Sequence, residues 1–264
     1  MILYDQNIWG NTDNPVGNRH TKIRNMVDQL VPDVIALQEC NPWLSRIGDF
    51  PMQEVLLPEY LEVLPEKAGE NFTPLFYRSE TLEFVEGGWF PFEGKNDEGS
   101  KSVTWAVFTE KATGKQFAVF STHFWFMAKD ETDAQQRREN AQALCAVAKQ
   151  IKEKYNIPVL ATGDLNSAEV TGQTLAGYEE MVAQGMKDVR FLAKKTTDKL
   201  TIHEYPKHDG NGNFISYEEN YGTLDYVFAY NEDMMELESF DVLDHEEAML
   251  SSDHCPVIVE FTLK

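Results

Sequence analysis

Cysteine, basic residues and long apolar runs are scarce in this sequence, and each scarcity excludes something. The 264 residues include 3 cysteines, at Cys40, Cys145 and Cys255. An odd number cannot all pair internally, and their spacing fits no metal-ligand pattern, which argues against a disulfide framework and a zinc-thiolate site. The expectation is a cytoplasmic protein with reduced thiols, each a small buried apolar side chain. No apolar run reaches the length of about eighteen residues that would span a membrane. The opening Met1–Asn7 has neither a basic region nor a long apolar stretch, so it does not read as a signal peptide. No repeat, low-complexity segment or linker divides the chain, and residues 1–264 are expected to form one domain. Lys and Arg number 23 against 44 Asp and Glu, a net charge of -21. Nucleic-acid binding draws on Lys and Arg to neutralise phosphates, so a polyanion is disfavoured as a partner, though not excluded.

What is present centres on one stretch, Val159-Leu160-Ala161-Thr162-Gly163-Asp164-Leu165-Asn166. A short apolar run bounded by turn residues reads as a buried strand ending at a loop. Gly163 allows a bend or a close backbone approach. Asp164 and Asn166 lie two apart, so in extended geometry they point to one side. An ionised carboxylate accepts only, whereas the amide both donates and accepts. The competing reading is a plain turn, for which Asp and Asn are common formers.

Elsewhere the pattern alternates strands and helices. Ile2–Ile8 reads as a strand, Arg19–Leu30 as a helix stopped by Pro32, and Val34–Leu37 as a buried strand delivering Gln38 and Glu39. Residues 41–57 are weakly helical. Leu61–Leu64, Pro74–Tyr77, Leu82–Val85 and Val103–Thr109 read as strands, and Pro91–Ser100 as a polar loop. A turn at Lys111–Lys115 leads into Gln116–His123. Glu131–Tyr155 is the longest helix candidate, with an apolar stripe of Ala141, Leu144, Cys145, Ala148, Ile151 and Tyr155. A shorter helix falls between Val170 and Ala183, a polar stretch covers Lys194–Asn220, and the last strong strands are Thr223–Ala229 and Cys255–Phe261.

The strand ends share a chemistry. Asn7, Glu39, His123, Asp164, Asn166, Asp225 and the pair Asp253–His254 each close or open an apolar strand. Turn preference alone does not explain so many, and they point to a site assembled at one edge of packed sheets.

At these residues the chain resembles the endonuclease/exonuclease/phosphatase superfamily, the deoxyribonuclease-I-like fold. The matching pieces, in order, are Gln6-Asn7, Ala36-Leu37-Gln38-Glu39, Phe76-Tyr77-Arg78, Ser121-Thr122-His123-Phe124, Thr162-Gly163-Asp164-Leu165-Asn166, Leu224-Asp225-Tyr226-Val227-Phe228 and Ser252-Asp253-His254-Cys255-Pro256-Val257. The resemblance implies a four-layer α/β/β/α sandwich with two packed, mostly antiparallel sheets. It also implies metal-dependent phosphoester hydrolysis, with Mg2+ or Mn2+. On matching positions it makes Glu39 the principal metal ligand, with Asn7 and Asp253 near the ion. Asp164 orients or deprotonates the attacking water, and Asn166 holds that water or the phosphate. His254 contacts the scissile phosphate, Asp225 fixes its tautomer, and His123 donates to the phosphate or leaving oxygen. These roles suit the residue types: hard cations take carboxylate oxygen, and a carboxylate partner orients an imidazole.

Tyr77, Arg78, Trp125 and Arg137 are the expected substrate contacts. For Tyr77–Arg78 the competing reading is a packed ring with a solvated head, and for Arg137 or Arg138 an exposed helical arginine. The rings of Phe124-Trp125-Phe126 would wall a small pocket, although aromatic runs more often belong to a core. Two departures tell against nucleic-acid cleavage. Trp9 stands where DNA-cutting relatives carry an acid, and Asn41 where pancreatic-type nucleases carry an arginine. An open groove lined by Lys22, Arg78, Lys101 and Arg138 would reverse that reading. Asp209–Phe214 resembles the start of a calcium loop, but Phe214 and Asn220 occupy its required glycine and glutamate positions, so a hairpin turn is the better reading. The expected activity is hydrolysis of a small phosphorylated substrate, a sugar phosphate or soluble phosphodiester. The alternatives are a nuclease and a non-catalytic binding module of the same fold. No apolar hairpin or basic patch suggests membrane docking.

Overall fold

The computed structural model describes residues 1–10, 19–40, 52–63, 71–96, 100–168, 174–203, 207–208, 214–216 and 222–264. In chain order the first half runs β1 (Ile2–Asn7), α1 (Arg19–Leu30), β2 (Val34–Gln38), α2 (Met52–Leu56), β3 (Tyr60–Glu62), β4 (Leu75–Arg78), β5 (Leu82–Pro91), β6 (Ser102–Glu110) and β7 (Gln116–His123). The second half runs α3 (Glu131–Tyr155), β8 (Val159–Asp164), α4 (Ala176–Ala183), β9 (Lys187–Asp188), β10 (Lys195–Thr196), β11 (Lys207–His208), β12 (Phe214–Ser216), β13 (Asp225–Tyr230), β14 (Met235–Val242), α5 (Glu246–Met249) and β15 (Val257–Leu263).

Two sheets carry the molecule. One has the order β10-β14-β15-β1-β2-β4-β3, the other β5-β6-β7-β8-β13-β9. Most neighbours are antiparallel, with parallel pairs at β1–β2, β7–β8 and β10–β14. The side-chain period of two sorts each strand between a facing sheet and a helix layer. Leu3, Val34 and Ala36 of one sheet meet Leu160, Val227 and Ala229 of the other in a shared apolar layer. On the first sheet's outer face Tyr4 and Ile35 pack on Ile23, Met26 and Val27 of α1. On the second's, Phe120 and Phe228 pack on Leu144 and Ala148 of α3. The result is the expected α/β/β/α sandwich. Each fully buried Leu, Val or Phe contributes about 1.5–3 kcal/mol.

All three cysteines are buried thiols outside any disulfide, as the composition predicts. No helix among the described residues is long and apolar enough to cross a membrane. The longest helix, α3, begins at Asp130, whose carboxylate accepts from the N–H groups of Thr132 and Asp133. It ends at Asn156, which takes a left-handed conformation.

Three element expectations need correction. β5 is longer than Leu82–Val85 and runs to Pro91, because its Gly-Gly step continues to pair with β6 through Gly87↔Ala106 and Gly88↔Trp105. The polar stretch beginning at Lys194 contains a short strand, β10. The whole of β14, an inner strand, was absent from the expected elements. Residues 41–51, 169–173 and 209–213 lie outside the described residues, so the weak helix, the first turn of the shorter helix and the calcium-like segment do so in whole or part. Asn41 does so too. β11 and β12, which flank 209–213, pair antiparallel.

Strand direction places the site. β1 and β2 run parallel, so Asn7 and Glu39 leave the sheet at the same edge. β7 and β8 run parallel, with His123 opposite Asp164. β13 runs against β8 and begins where β8 ends, pairing Asp225 with Asp164. β15 runs against β1, which brings the preceding Asp253 and His254 to the Asn7 end. Gly163 makes the β7–β8 pairing possible. Its φ is +141°, and a Cβ there would stand 2.0 Å from the Thr122 carbonyl oxygen. Gly163→Ala is therefore expected to cost about 3 kcal/mol or more through backbone strain and overpacking, read as a lowered urea midpoint.

Candidate active site

The best-defined contact is between His254 and Asp225. Asp225 Oδ2 lies 2.8 Å from His254 Nδ1, both residues being buried. The Thr201 hydroxyl accepts from the N–H groups of Leu224 and Asp225, which fixes the start of β13. The Ser252 hydroxyl donates to the Asn7 carbonyl at 2.6 Å and accepts from the His254 N–H at 3.1 Å. Burial works against a charged imidazole, but Asp225, with Asp253 and Asp164 behind it, outweighs it, and His254 is held well above the ordinary histidine value. Nδ1 is committed to Asp225, and the other ring nitrogen, Nε2, lies 3.9 Å from Asp164 Oδ2.

Asp164 is the hub. Its Oδ2 lies 3.3 Å from His123 Nε2 and accepts from Asn7 Nδ2 at 3.0 Å, while its Oδ1 accepts from the Asn166 N–H at 2.8 Å. Burial alone would raise its carboxyl. His123, with His254 and Lys101 behind it, instead holds it well below the usual carboxylate range. Asn166 takes a left-handed conformation, φ +46°, and donates to the Phe124 carbonyl at 3.1 Å. It thereby ties the end of β8 to the segment that follows His123.

Glu39 sits on the more open side. It too is left-handed, φ +52°, a conformation costing a non-glycine residue about 1–2 kcal/mol. The turn swings its carboxylate from the strand end into the hollow. Oε2 accepts from the Gly10 N–H at 2.7 Å, and Oε1 from Asn7 Nδ2 at 3.2 Å. His123 Nε2 is 3.9 Å away. Burial is opposed by His123, Lys101 and Gly10, and the carboxyl is lowered. Burial pushes Asp253 up to about 6, with His254 opposing and the Glu39 charge adding to the rise. Asn7 joins Glu39 to Asp164 through its amide nitrogen, while its Oδ1 accepts from the Trp9 N–H.

These donors suit a hard divalent cation. Glu39 and Asp253 offer carboxylate oxygen, the set that magnesium or manganese takes. Asp164, Asp225 and His254 also place ligand atoms within 4.8 Å of one another. His254 Nδ1 and Asp225 Oδ2 are bound to each other at 2.8 Å, so that triad is the less suitable holder.

Comparison with known proteins places this edge in a family. The profile of the endonuclease/exonuclease/phosphatase family matches residues 6–254, a span reaching from Asn7's neighbour to His254. The chain belongs to that family. Its members are hydrolases acting on phosphoesters. A relative in Acanthamoeba polyphaga mimivirus, the uncharacterized protein L388, is 24% identical over 276 residues, covering 92% of this chain and 91% of its own. Among solved structures, a family member from Bacteroides vulgatus is 22% identical with a TM-score of 0.74, covering 100% of this chain and 98% of its own. A mannosyl-6-phosphatase from Bacteroides thetaiotaomicron is 21% identical with a TM-score of 0.72 and complete coverage of both chains. D. rerio TDP2, complexed with single-strand DNA product, is 16% identical with a TM-score of 0.70, covering 99% and 98%.

Within this endonuclease/exonuclease/phosphatase fold, Asn7, Glu39, His123, Asp164, Asn166, Asp225, Asp253 and His254 come together. The expected substrate contacts do not, and each has a physical reason. β4 runs against β2, pairing Tyr77 with Val34, so Tyr77 and Arg78 leave at the edge opposite Glu39. Tyr77 packs on Phe84 and Phe108. Arg137 is 1% exposed and donates to the carbonyls of Trp125 and Met127. It braces the segment after His123 and is not an exposed phosphate contact. Trp125 is buried with its indole N–H on Asp133 at 2.8 Å, and the exposed ring beside the site is Phe126. The basic residues proposed for a groove also disperse. Arg138 pairs with Glu131 at 2.6 Å, Lys22 borders a hollow with Glu246 and Glu247, and Arg78 lies at the far edge.

The sequence reading placed several functional neighbours elsewhere or not at all. Lys101, named there as part of a groove, is 4% exposed with Nζ 2.6 Å from His123 Nε2 and 3.0 Å from Nδ1. Arg19 donates to the carbonyls of Ile8, Trp9 and Ser251, clamping the end of β1 to the turn after α5. Asp5 lies in the inter-sheet layer behind the site. Burial, and then the charge of Asp225, raise its carboxyl well above the usual value. Gln38 donates to Asp5 Oδ1 at 2.9 Å.

Proposed function

We propose that this protein hydrolyses a small phosphorylated metabolite, a sugar phosphate or soluble phosphodiester, with magnesium or manganese on Glu39 and Asp253. The observation that carries this reading is the Asp225–His254 contact of 2.8 Å directed at Asp164. It creates a cationic imidazole donor where charge develops on a phosphoryl oxygen. A divalent cation on Glu39 would act as a Lewis acid on the same group. His254 Nε2 then donates to a phosphoryl oxygen, and Asp225 orients the ring and favours the cationic form in which both nitrogens donate. Asp164, being strongly acidic, is a poor base, and its part is to orient the attacking water. Asn7 holds Glu39 and Asp164 at a fixed separation. His123 lies against Asp164 and supplies a proton to the leaving oxygen as the ester bond breaks.

The small-substrate reading rests on charge and placement. A nuclease needs contacts to phosphates beyond the scissile one. Here the net charge is -21, and Lys22, Arg78, Lys101 and Arg138 form no common strip. The solved relatives include both a mannosyl-6-phosphatase and a DNA-bound TDP2, so both classes are compared in the test. A non-catalytic module would be expected to lack part of the constellation, and each position is filled. With magnesium at low salt, kcat/KM on hexose phosphates and small diesters should exceed that on oligonucleotides by about two orders of magnitude. Efficient cleavage of an oligonucleotide with no turnover of small esters would overturn this reading.

A further inference from the structure

We propose that Arg19 is a positioning residue for the cation site: it holds the left-handed turn at Trp9 through which Gly10 reaches Glu39, and it ties that turn to the segment carrying Asp253. This inference rests on the metal-dependent reading above and goes on to what keeps its two carboxylates together. Three observations carry it. The first is placement. Arg19 lies four, seven and eight residues before Ile23, Met26 and Val27, so it continues the buried stripe by which α1 packs on the first sheet. It is 7% exposed. The second is reach. One terminal nitrogen of its guanidinium donates to the Ile8 carbonyl at 2.5 Å and to the Ser251 carbonyl at 3.1 Å, and the other donates to the Trp9 carbonyl at 2.9 Å. The guanidinium carbon also stands 5.5 Å from the centre of the Trp9 ring. The third is strain. Trp9 has φ +55°, in a region that L side chains enter only at a cost.

A strained conformation persists only where its surroundings over-determine it. At Trp9 those surroundings are specific. Its own N–H donates to Asn7 Oδ1 at 3.0 Å, and the Arg19 fork holds the carbonyls before and after its Cα. The turn delivers the next N–H, that of Gly10, which donates to Glu39 Oε2 at 2.7 Å. Glu39 is left-handed as well, at φ +52°, so strained residues follow the ends of both parallel strands, β1 and β2. The Ser251 bond gives the clamp its second arm. Ser251 lies two residues before Asp253, and the Ser252 hydroxyl joins the same segment to the Asn7 carbonyl at 2.6 Å. Arg19 therefore acts on Glu39 through Trp9 and Gly10, and on Asp253 through Ser251. A guanidinium suits this task because its donors lie in a rigid plane and can serve several carbonyls at fixed angles. An ammonium is a point charge on a flexible stem.

The test compares the wild type, Arg19→Lys, Trp9→Gly and the double variant, with manganese binding followed by its paramagnetic signal. Arg19→Lys should weaken manganese binding by about ten- to a hundredfold, the range for a residue that orients a metal ligand. The turnover it loses at low magnesium should return in large part as magnesium is raised, which a loss of folded protein unrelated to the cation site would not give. Glycine enters the left-handed region freely, so with Trp9→Gly the turn depends less on the clamp. In that background Arg19→Lys should weaken binding by less than about fivefold. Equal losses in both backgrounds, or unchanged manganese affinity in Arg19→Lys, would overturn the proposal. If the wild type binds manganese but turns over no small phosphoester, the substrate reading fails, and manganese binding still decides the role of Arg19. If the wild type binds no manganese, the metal reading and this inference fall together. Should Arg19→Lys melt far below the wild type, Trp9→Val carries the test with Arg19 in place. A β-branched residue strongly resists the left-handed region, so affinity should fall at least about tenfold, and unchanged affinity would overturn the proposal.

Discussion

Asp225→Asn is expected to lower turnover by about four orders of magnitude, as the equivalent change does in hydrolase triads. The substitution is nearly isosteric, so the inter-sheet packing around β13 should survive and the melting temperature should move little. What changes is the imidazole. Asp225 Oδ2 accepts from His254 Nδ1 at 2.8 Å, and an asparagine amide can meet that nitrogen with either its N–H or its oxygen, so protonation at Nδ1 is no longer fixed. Charge changes as well. Burial favours neutral His254, and Asp225 is the largest influence opposing it. In the wild type the ring should therefore stay protonated beyond neutral pH, and the alkaline limb of kcat/KM should lie above the usual histidine value of about 6.5. Without the carboxylate burial loses its main opponent, Asp253 and Asp164 alone remaining against it, so the histidine value falls and the limb moves to lower pH. His254→Ala should be at least as damaging and should lack that limb. Near-normal turnover in Asp225→Asn, or an alkaline limb that stays put, would remove the pair from the mechanism.

The active edge is legible in the sequence because strand ends announce themselves. Apolar runs at Val34–Leu37, Phe117–Phe120 and Val159–Ala161 stop at polar residues, and sheet geometry collects such ends wherever neighbours run parallel. Direction is what the sequence conceals. Phe76-Tyr77-Arg78 ends a strand in the same manner, yet β4 is antiparallel to β2, and its end emerges at the wrong edge. Lys101 illustrates the converse. It precedes a strand, and the hairpin register Thr109↔Gln116 through Val103↔Thr122 carries it to the level of Phe124. That inference was within reach once β6 and β7 were recognised as a hairpin. β14 was hidden by a bulge. Met235 and Leu237 alternate inward, the register shifts between Leu237 and Ser239, and Phe240 and Val242 then resume the inward positions. A single inserted residue breaks a period of two. Trp125 and Arg137 illustrate a third limit. Side-chain type suggests a pocket wall and a phosphate contact, but only packing shows that the indole N–H and the guanidinium hold the loop after His123.

Glu39→Gln, and removal of metal from the wild type, should each suppress activity by at least about three orders of magnitude, since loss of the Lewis acid forfeits several kcal/mol of transition-state stabilisation. The glutamine side chain keeps the size of glutamate. Its carbonyl oxygen can still accept from the Gly10 N–H, which now meets Glu39 Oε2 at 2.7 Å. The left-handed turn at residue 39 should therefore persist, and the loss would report on charge more than on shape. A neutral amide replaces the carboxylate best placed to hold a hard cation, leaving Asp253 as the other proposed holder. Asp253 is itself raised to about 6 by burial, against the pull of His254 and with help from Glu39. Removing the Glu39 charge takes away one cause of that rise, so Asp253 should ionise more readily in the variant and retain weak cation binding. Titration with manganese, followed by its paramagnetic signal, should show affinity reduced by at least about tenfold rather than abolished. In the wild type, a strong chelator should abolish turnover, and added magnesium or manganese should restore it. Zinc should restore it poorly, because the donors here are oxygen and the buried cysteines stand elsewhere. Full activity in excess chelator would refute the metal-dependent reading. Unchanged manganese affinity in Glu39→Gln would instead move the ion to Asp164, Asp225 and His254, whose ligand atoms also lie within 4.8 Å of one another.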